Sequence, residues 1–256
     1  MNISRQALVL FLALVVPMVM AQSYTSSAIQ PEAWQLVQLA NQARAQAGAG
    51  PLKWDPALAL AARQHCLRMA SEGQLSHQFP GEPEVSKRAA QSGAHFSLIE
   101  ENVAIASTPE EIHEAWMHSP GHRANLLNPQ VDHVGIAVVT GRRGLYAVAD
   151  YERAVLVLSQ TQIEAQIASL LHGVAILPDP TQARSVCAAE GKLPSPASGP
   201  RPHFVMYWED AQLTQLPKSL VSAMASGQYH QAAVGSCSTQ GQADEFTAYR
   251  IAVLLY

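Results

Sequence analysis

His77, Glu101, Ser119 and His122 are the residues of this chain whose types and spacing could do chemistry. They lie in three segments reading SEGQLSH (71–77), IEENVAIAS (99–107) and EAWMHSPGHRANLLNP (114–129). Imidazole, carboxylate and imidazole bind a borderline divalent cation such as zinc, and they also move protons near neutral pH. His77 and His122 are the candidate metal ligands. Two histidines alone leave a coordination sphere open, so Glu101 or water would complete it, or Glu101 would orient an imidazole from behind. Zn2+ or another divalent cation is the cofactor this set would take.

Two catalytic readings stand beside that one. Ser119, His122 and Glu101 are the residue types of a nucleophile, its base and an orienting acid. Ser119 sits in a helix-ending turn, where serine is favoured for conformational reasons, and no glycine-flanked nucleophile motif surrounds it. A metal-assisted hydrolase or peptidase would instead use Glu101 as general base toward a bound water. Catalytic assignments stay open, with Glu101 and Ser119 as candidates. The plainest alternative is a polar cleft held by hydrogen bonds and water. His118 and His122 are four residues apart, but Pro120-Gly121 lies between them and breaks the one-face argument. His113 is expected on the outer face of its helix, His133 at a strand start on the surface, and Asn102 bonding backbone in a turn.

The elements that must position these side chains follow from pattern. Trp34, Leu36, Val37 and Ala40 recur at helical spacing, and Gly48 to Pro51 stop that helix. Asp55 and Pro56 open a second helix that Gly73 closes, with Leu58, Ala62, Cys66 and Met69 along its inner face. His65 lies beside that stripe as a packed or exposed histidine rather than a ligand. A short helix is expected over Val85–Ser92. Thr108-Pro109-Glu110-Glu111 opens a third long helix with a capping box, and Ser119-Pro120-Gly121 ends it, presenting His122 from irregular backbone. Strands follow over Val134–Val139 and Leu145–Tyr151, joined by the tight reversal Gly141-Arg142-Arg143-Gly144. Helices before strands, without strand–helix–strand alternation, predict an α+β fold.

The chain has 256 residues, 48% apolar and 14% charged, which supplies a real core. Its net charge is −4 with scattered Lys and Arg, which disfavours a nucleic-acid partner. Residues 1–21 read as an export signal: Arg5, an apolar stretch from Ala7 to Met20, and a cut after Ala21. That stretch is too short to span a bilayer, so no membrane span is expected after its removal, and the mature chain is expected to be secreted or periplasmic. Residues 22–31 are expected to be a flexible segment. Export makes a disulfide possible. Cys187 and Cys237 could pair, leaving Cys66 as a buried apolar residue; three free thiols is the other reading.

Beyond residue 153 the pattern changes. A helix is expected over Thr161–Leu171, a proline-rich loop over Gly191–His203, and a strand over Phe204–Trp208. A helix over Pro217–Ser226 and strands over His230–Cys237 and Phe246–Tyr256 complete a small α+β unit at 154–256. No internal repeat is visible, and no family is assigned to this part. Its strand edges could pair with another chain.

Residues about 34–151 resemble the CAP superfamily (cysteine-rich secretory proteins, antigen 5 and plant pathogenesis-related proteins of class 1), also called the SCP domain. The likeness is greatest to its bacterial secreted branch. It rests on Asn41-Gln42-Ala43-Arg44, Leu52-Lys53-Trp54-Asp55, Leu75-Ser76-His77, Glu101-Asn102-Val103-Ala104, Trp116–Leu127 and Val134-Gly135-Ile136-Ala137, six segments in order. The resemblance implies a three-layer α-β-α sandwich over residues 32–153 with a cleft lined by two histidines and two acids. His77 matches the first histidine, Glu101 the first acid and His122 the second histidine. In eukaryotic members the second acid lies three residues after the tryptophan, where this chain has Ser119, and Glu114 is not expected to reach that place. The family is linked to lipid and sterol binding, defence and extracellular signalling. The expectation is an exported, non-catalytic binding module for an extracellular peptide, glycan or lipid-like ligand.

Overall fold

Two four-stranded sheets organise the chain, one in each half. The computed structural model describes residues 29–193, 200–238 and 246–256. The expected export signal and nearly all of the expected flexible segment lie outside the described residues.

The first sheet has the order β1-β3-β4-β2. Its strands are β1 (Lys53–Trp54), β2 (Phe96–Ala106), β3 (His133–Gly141) and β4 (Gly144–Ala154). β1 runs parallel to β3, while β3 with β4 and β4 with β2 are antiparallel. Helices α1 (Pro31–Ala47), α4 (Pro109–His118) and α5 (Pro120–Leu127) share one core with Val134, Ile136, Ala149 and Tyr151 on one face. Helix α2 (Pro56–Glu72) packs Ala62, Cys66 and Met69 on the other face against Val103, Ala137 and Val148. This is the expected three-layer α-β-α sandwich. Short α3 (Val85–Gln91) lies on the α2 side, near β2.

Local signals explain most boundaries. The Asp55 carboxylate accepts from the Leu58 amide, Pro56 occupies the first turn and Gly73 closes α2 in the left-handed region. The turn at Gly141–Gly144 is a two-residue connection in register. Two expectations are corrected. Asn102 lies not in a turn but in the middle of β2, an eleven-residue edge strand. His122 does not come from irregular backbone; it is the third residue of α5, because Ser119 ends α4 and Pro120 starts the next helix. The boundaries also move slightly: α1 begins at Pro31 and β4 ends at Ala154.

The second sheet has the order β5-β7-β8-β6, from β5 (Ala175–Ile176), β6 (Phe204–Asp210), β7 (Gln231–Cys237) and β8 (Tyr249–Leu255). β5 is parallel to β7 and the other pairs are antiparallel. Helices α6 (Gln160–Leu170) and α8 (Lys218–Ala225) pack on one face, with Ile167 and Leu220 fully buried. Helix α7 (Thr181–Ala188) packs on the other with Ala183, Val186 and Cys187. Both β5 and α7 were invisible in the sequence. Strand order, pairing sense and helix placement repeat those of the first half, without counterparts of α3 and α5 among the described residues. In both halves a glycine admits the second helix: a β-carbon on Gly135 would overlap the backbone of Leu58 and Ala59, and one on Gly235 that of Ala183 and Arg184.

Cys187 and Cys237 form a disulfide that ties α7 to the end of β7. Cys66 is free and buried, its thiol pushed up to about 12 by that burial. The halves are joined where Thr247 donates its amide to the Phe96 carbonyl at 2.7 Å and Phe246 meets Phe96 edge-on. Among the described residues, no helix is long and apolar enough to cross a membrane.

Candidate functional site

The site straddles β2, the edge of the first sheet. Neighbouring residues of a strand point to opposite faces. Glu101 therefore turns toward α3 and the loop after α2, while Asn102 turns toward α5. His77 rises from that loop on one side and His122 from α5 on the other. Their rings face each other with centroids 6.1 Å apart.

Glu101 is almost wholly buried and has both oxygens engaged. One accepts from His77 Nδ1 at 2.8 Å, and the other pairs with the buried Arg88 guanidinium of α3. Arg88 also donates to the carbonyls of Pro83 and His77. Sequence reading missed Arg88, since one arginine on a short helix looks like a solvated charge. The loop carrying His77 has a second brace. Buried His65 of α2 bonds the Ser76 carbonyl through Nε2 and Glu82 through Nδ1. His65 is thus a packed histidine, as its place beside the apolar stripe predicts.

Two asparagines fix the other side. Asn102, fully buried, donates to the His122 carbonyl at 2.8 Å. Asn125, one turn along α5 from His122, donates to the Glu101 carbonyl at 3.2 Å and to Asn102 Oδ1 at 3.1 Å. α5 is therefore clamped onto the strand edge, and Asn102 serves helix attachment rather than a turn. The family-like residues farther away are architectural: Arg44 donates to the carbonyls of Gly50, Leu126, Asn128 and Val131, tying α1 to the end of α5.

The two imidazoles have opposite proton affinities. The hydrogen bond to Glu101 raises His77 above the ordinary imidazole value. Burial, then the nearby His77 charge, lowers His122. His77 thus holds a proton more tightly than the His122 it faces. Behind Glu101, Asp150 of β4 is its direct cross-strand neighbour and is fully buried with neither oxygen hydrogen-bonded. Burial, then the Glu101 charge, holds the Asp150 carboxyl well above the usual range.

The remaining candidates are placed as follows. Ser119 caps the α4–α5 junction with its backbone, and its hydroxyl makes no hydrogen bond to His122 or Glu101 among the described residues. The nucleophile arrangement is therefore not assembled. Glu114 is exposed, its carbonyl taken by His118. His113 is half-buried rather than on the outer face, with Nδ1 unpartnered. His133 is half-buried beside Asp132.

The N-terminal half has relatives. Residues 37–151 match the family model of the cysteine-rich secretory protein family, CAP. Residues 37–151 are thus a domain of the CAP type, similar to bacterial proteins that carry it. It is 35% identical over 105 residues to the uncharacterized protein YkwD of Bacillus subtilis, covering 41% of each chain. It is 30% identical over 106 residues to the uncharacterized membrane protein YlbC of the same organism, covering 41% of this chain and 30% of that one. The chain thus spans less than half the length of these curated relatives. Among solved structures, an extracellular SCP-domain protein of Bacillus anthracis aligns at 26% identity and a TM-score of 0.45, over 50% of this chain and 45% of that one. An outer surface protein of Borrelia burgdorferi aligns at 18% identity and a TM-score of 0.45, over 48% of this chain and 92% of that one.

Proposed function

We propose that this chain is an exported binding module whose cleft holds a divalent cation such as zinc between His77 and His122, with an extracellular ligand supplying further oxygen donors. The observation that carries the reading is the approach of the two imidazoles across β2, with His77 Nδ1 anchored on Glu101. A metal-binding histidine commonly gives its second ring nitrogen to a carboxylate in this way, leaving Nε2 to face the ion. Glu101 is then an orienting residue, held by Arg88, and not a general base.

The donor set fits a cation only in part. Among the described residues no three His, Cys, Asp or Glu side chains gather in a metal-holding arrangement. Two protein ligands leave positions open, which suits weak binding and a ligand that completes the site. A peptide carboxylate, a glycan or a lipid headgroup has such oxygens. The export signal at 1–21 and the Cys187–Cys237 disulfide both fit an oxidising compartment outside the cytoplasm.

Metal analysis and thermal unfolding with added zinc test this. Wild type should gain several degrees with zinc, and the His77→Ala/His122→Ala variant should gain nothing. Because a protonated imidazole cannot ligate, the zinc response should fade as pH falls through the raised pKa of His77, above the usual ~6.5. A wild type indifferent to zinc at pH 8 would end the reading. Incubation with a broad peptide library should give no cleavage, with or without zinc; cleavage lost with a chelator would replace the module by a hydrolase.

A further inference from the structure

β6 closes the second sheet and is paired on one side only, to β8. It runs seven residues, FVMYWED, in unbroken register. It contains neither a proline nor a bulge, two of the devices that blunt an exposed edge. The opposite edge, β5, is only two residues long. In the first sheet the corresponding edge, β2, carries a bulge near Phe96 and is capped by Asn125 on the Glu101 carbonyl. The second half has no helix in the place of α5. Among the described residues, no backbone group of β6 bonds to anything beyond β8 and its own strand.

The free groups can be assigned. Gln231 and Tyr256 exchange both backbone hydrogen bonds. Alternation along an antiparallel strand then turns Leu255, Val253 and Ile251 toward β6, where their partners are Phe204, Met206 and Trp208. That leaves the amides and carbonyls of Val205, Tyr207 and Glu209 facing outward. This set is symmetric about Tyr207. Antiparallel pairing with an identical strand opposes Val205 to Glu209, Tyr207 to itself and Glu209 to Val205. All three residues find backbone partners, and Met206 lies opposite Trp208. The charges of Glu209 and Asp210 fall at opposite ends of the paired strands, so no like charges meet.

We propose that β6 is a self-pairing edge: two copies of this chain join β6 to β6 about a two-fold axis, forming one continuous eight-stranded sheet from their C-terminal halves. Such an isologous contact closes on itself and leaves no further β6 edge to propagate. Val221 of α8, half exposed, and the half-buried Met206 and Trp208 would lie along the new seam.

Sedimentation equilibrium of the exported full chain tests this. Wild type should show a monomer–dimer equilibrium at micromolar concentration. Val205→Glu sets a carboxylate opposite Glu209 of the second copy, twice by symmetry, and should weaken the dimer about fivefold or more. Val205→Lys sets an ammonium there and should leave the dimer as tight as wild type or tighter. The two variants should unfold at similar temperatures, since Val205 is equally half-buried in either case. A wild type that is monomeric throughout overturns the proposal and leaves β6 to some other extended chain. Equal loss of the dimer in both variants also overturns it.

Discussion

The two halves of this molecule share a plan but differ at one edge. Each has a four-stranded sheet with a two-residue parallel strand at one side, a helix pressed on a central glycine, and two helices on the opposite face. The N-terminal half adds α3 and α5, one on each side of the edge strand. α3 supplies Arg88 and borders the loop that supplies His77, and α5 supplies His122 and Asn125. Among the described residues the C-terminal half lacks both helices, and its edge strand carries Tyr207, Glu209 and the nearby Arg250 instead. The sheet is thus a general support, and the cleft is a property of two short insertions at its rim.

Breaking the shared plan comes first. Gly135→Ala and Gly235→Ala each force a methyl into helix backbone and should each cost about 3 kcal/mol in urea unfolding. Tolerance at Gly235 alone would mean that the second half does not press its helix on the sheet as the first does. Sharpening the difference between the edges comes next. Arg88→Ala strands Glu101 beside Asp150 in the interior and should cost roughly 3–5 kcal/mol. Arg250→Ala faces Glu190 and Glu209, both more than half exposed, and should cost only about 1 kcal/mol. Equal losses would erase the distinction between a buried and a rim network.

A further test concerns pH and a buried carboxyl of the first sheet. Glu152 of β4 is buried with Oε2 unpartnered, and burial beside Asp55 and Asp132 pushes its carboxyl up to about 8. The unfolded chain releases that proton near the ordinary value of ~4.3, the folded chain only near 8. Stability should therefore fall as pH rises between those values and level off above them. Glu152→Gln should flatten that slope, with its largest gain at pH 8 and none at pH 4. Unfolding curves across this range check it; an unchanged slope would mean Glu152 ionises freely.

How legible this was depended on whether a residue speaks to its sequence neighbours. Asp55, Pro56 and Gly73 act within one turn, and the boundaries of α2 could be read from them. β2 could not, because Glu100, Glu101 and Asn102 are polar for partners rather than for solvent: Asn128, then Arg88 with His77, then His122. α5 was hidden behind Pro120-Gly121, though Ser119 followed by proline is an opening signal as well as a stop. Asp179-Pro180 before α7 looks like Asp55-Pro56 before α2 but acts differently: Pro180 is itself the cap residue, and the Asp179 carboxylate accepts from the Thr181 amide. The shared plan of the halves left only such traces, Val134-Gly135 beside Val234-Gly235 among them.

Placing His122 on a helix rather than on a loop makes its direction a matter of winding. Each residue advances an α-helix by about 100°. One extra residue between Ser119 and His122 would swing the imidazole a quarter turn and more away from His77, while α5 could still form. The stretch from tryptophan to second histidine is therefore fixed in length as well as in composition, whereas the loop before α3 has no such angular constraint.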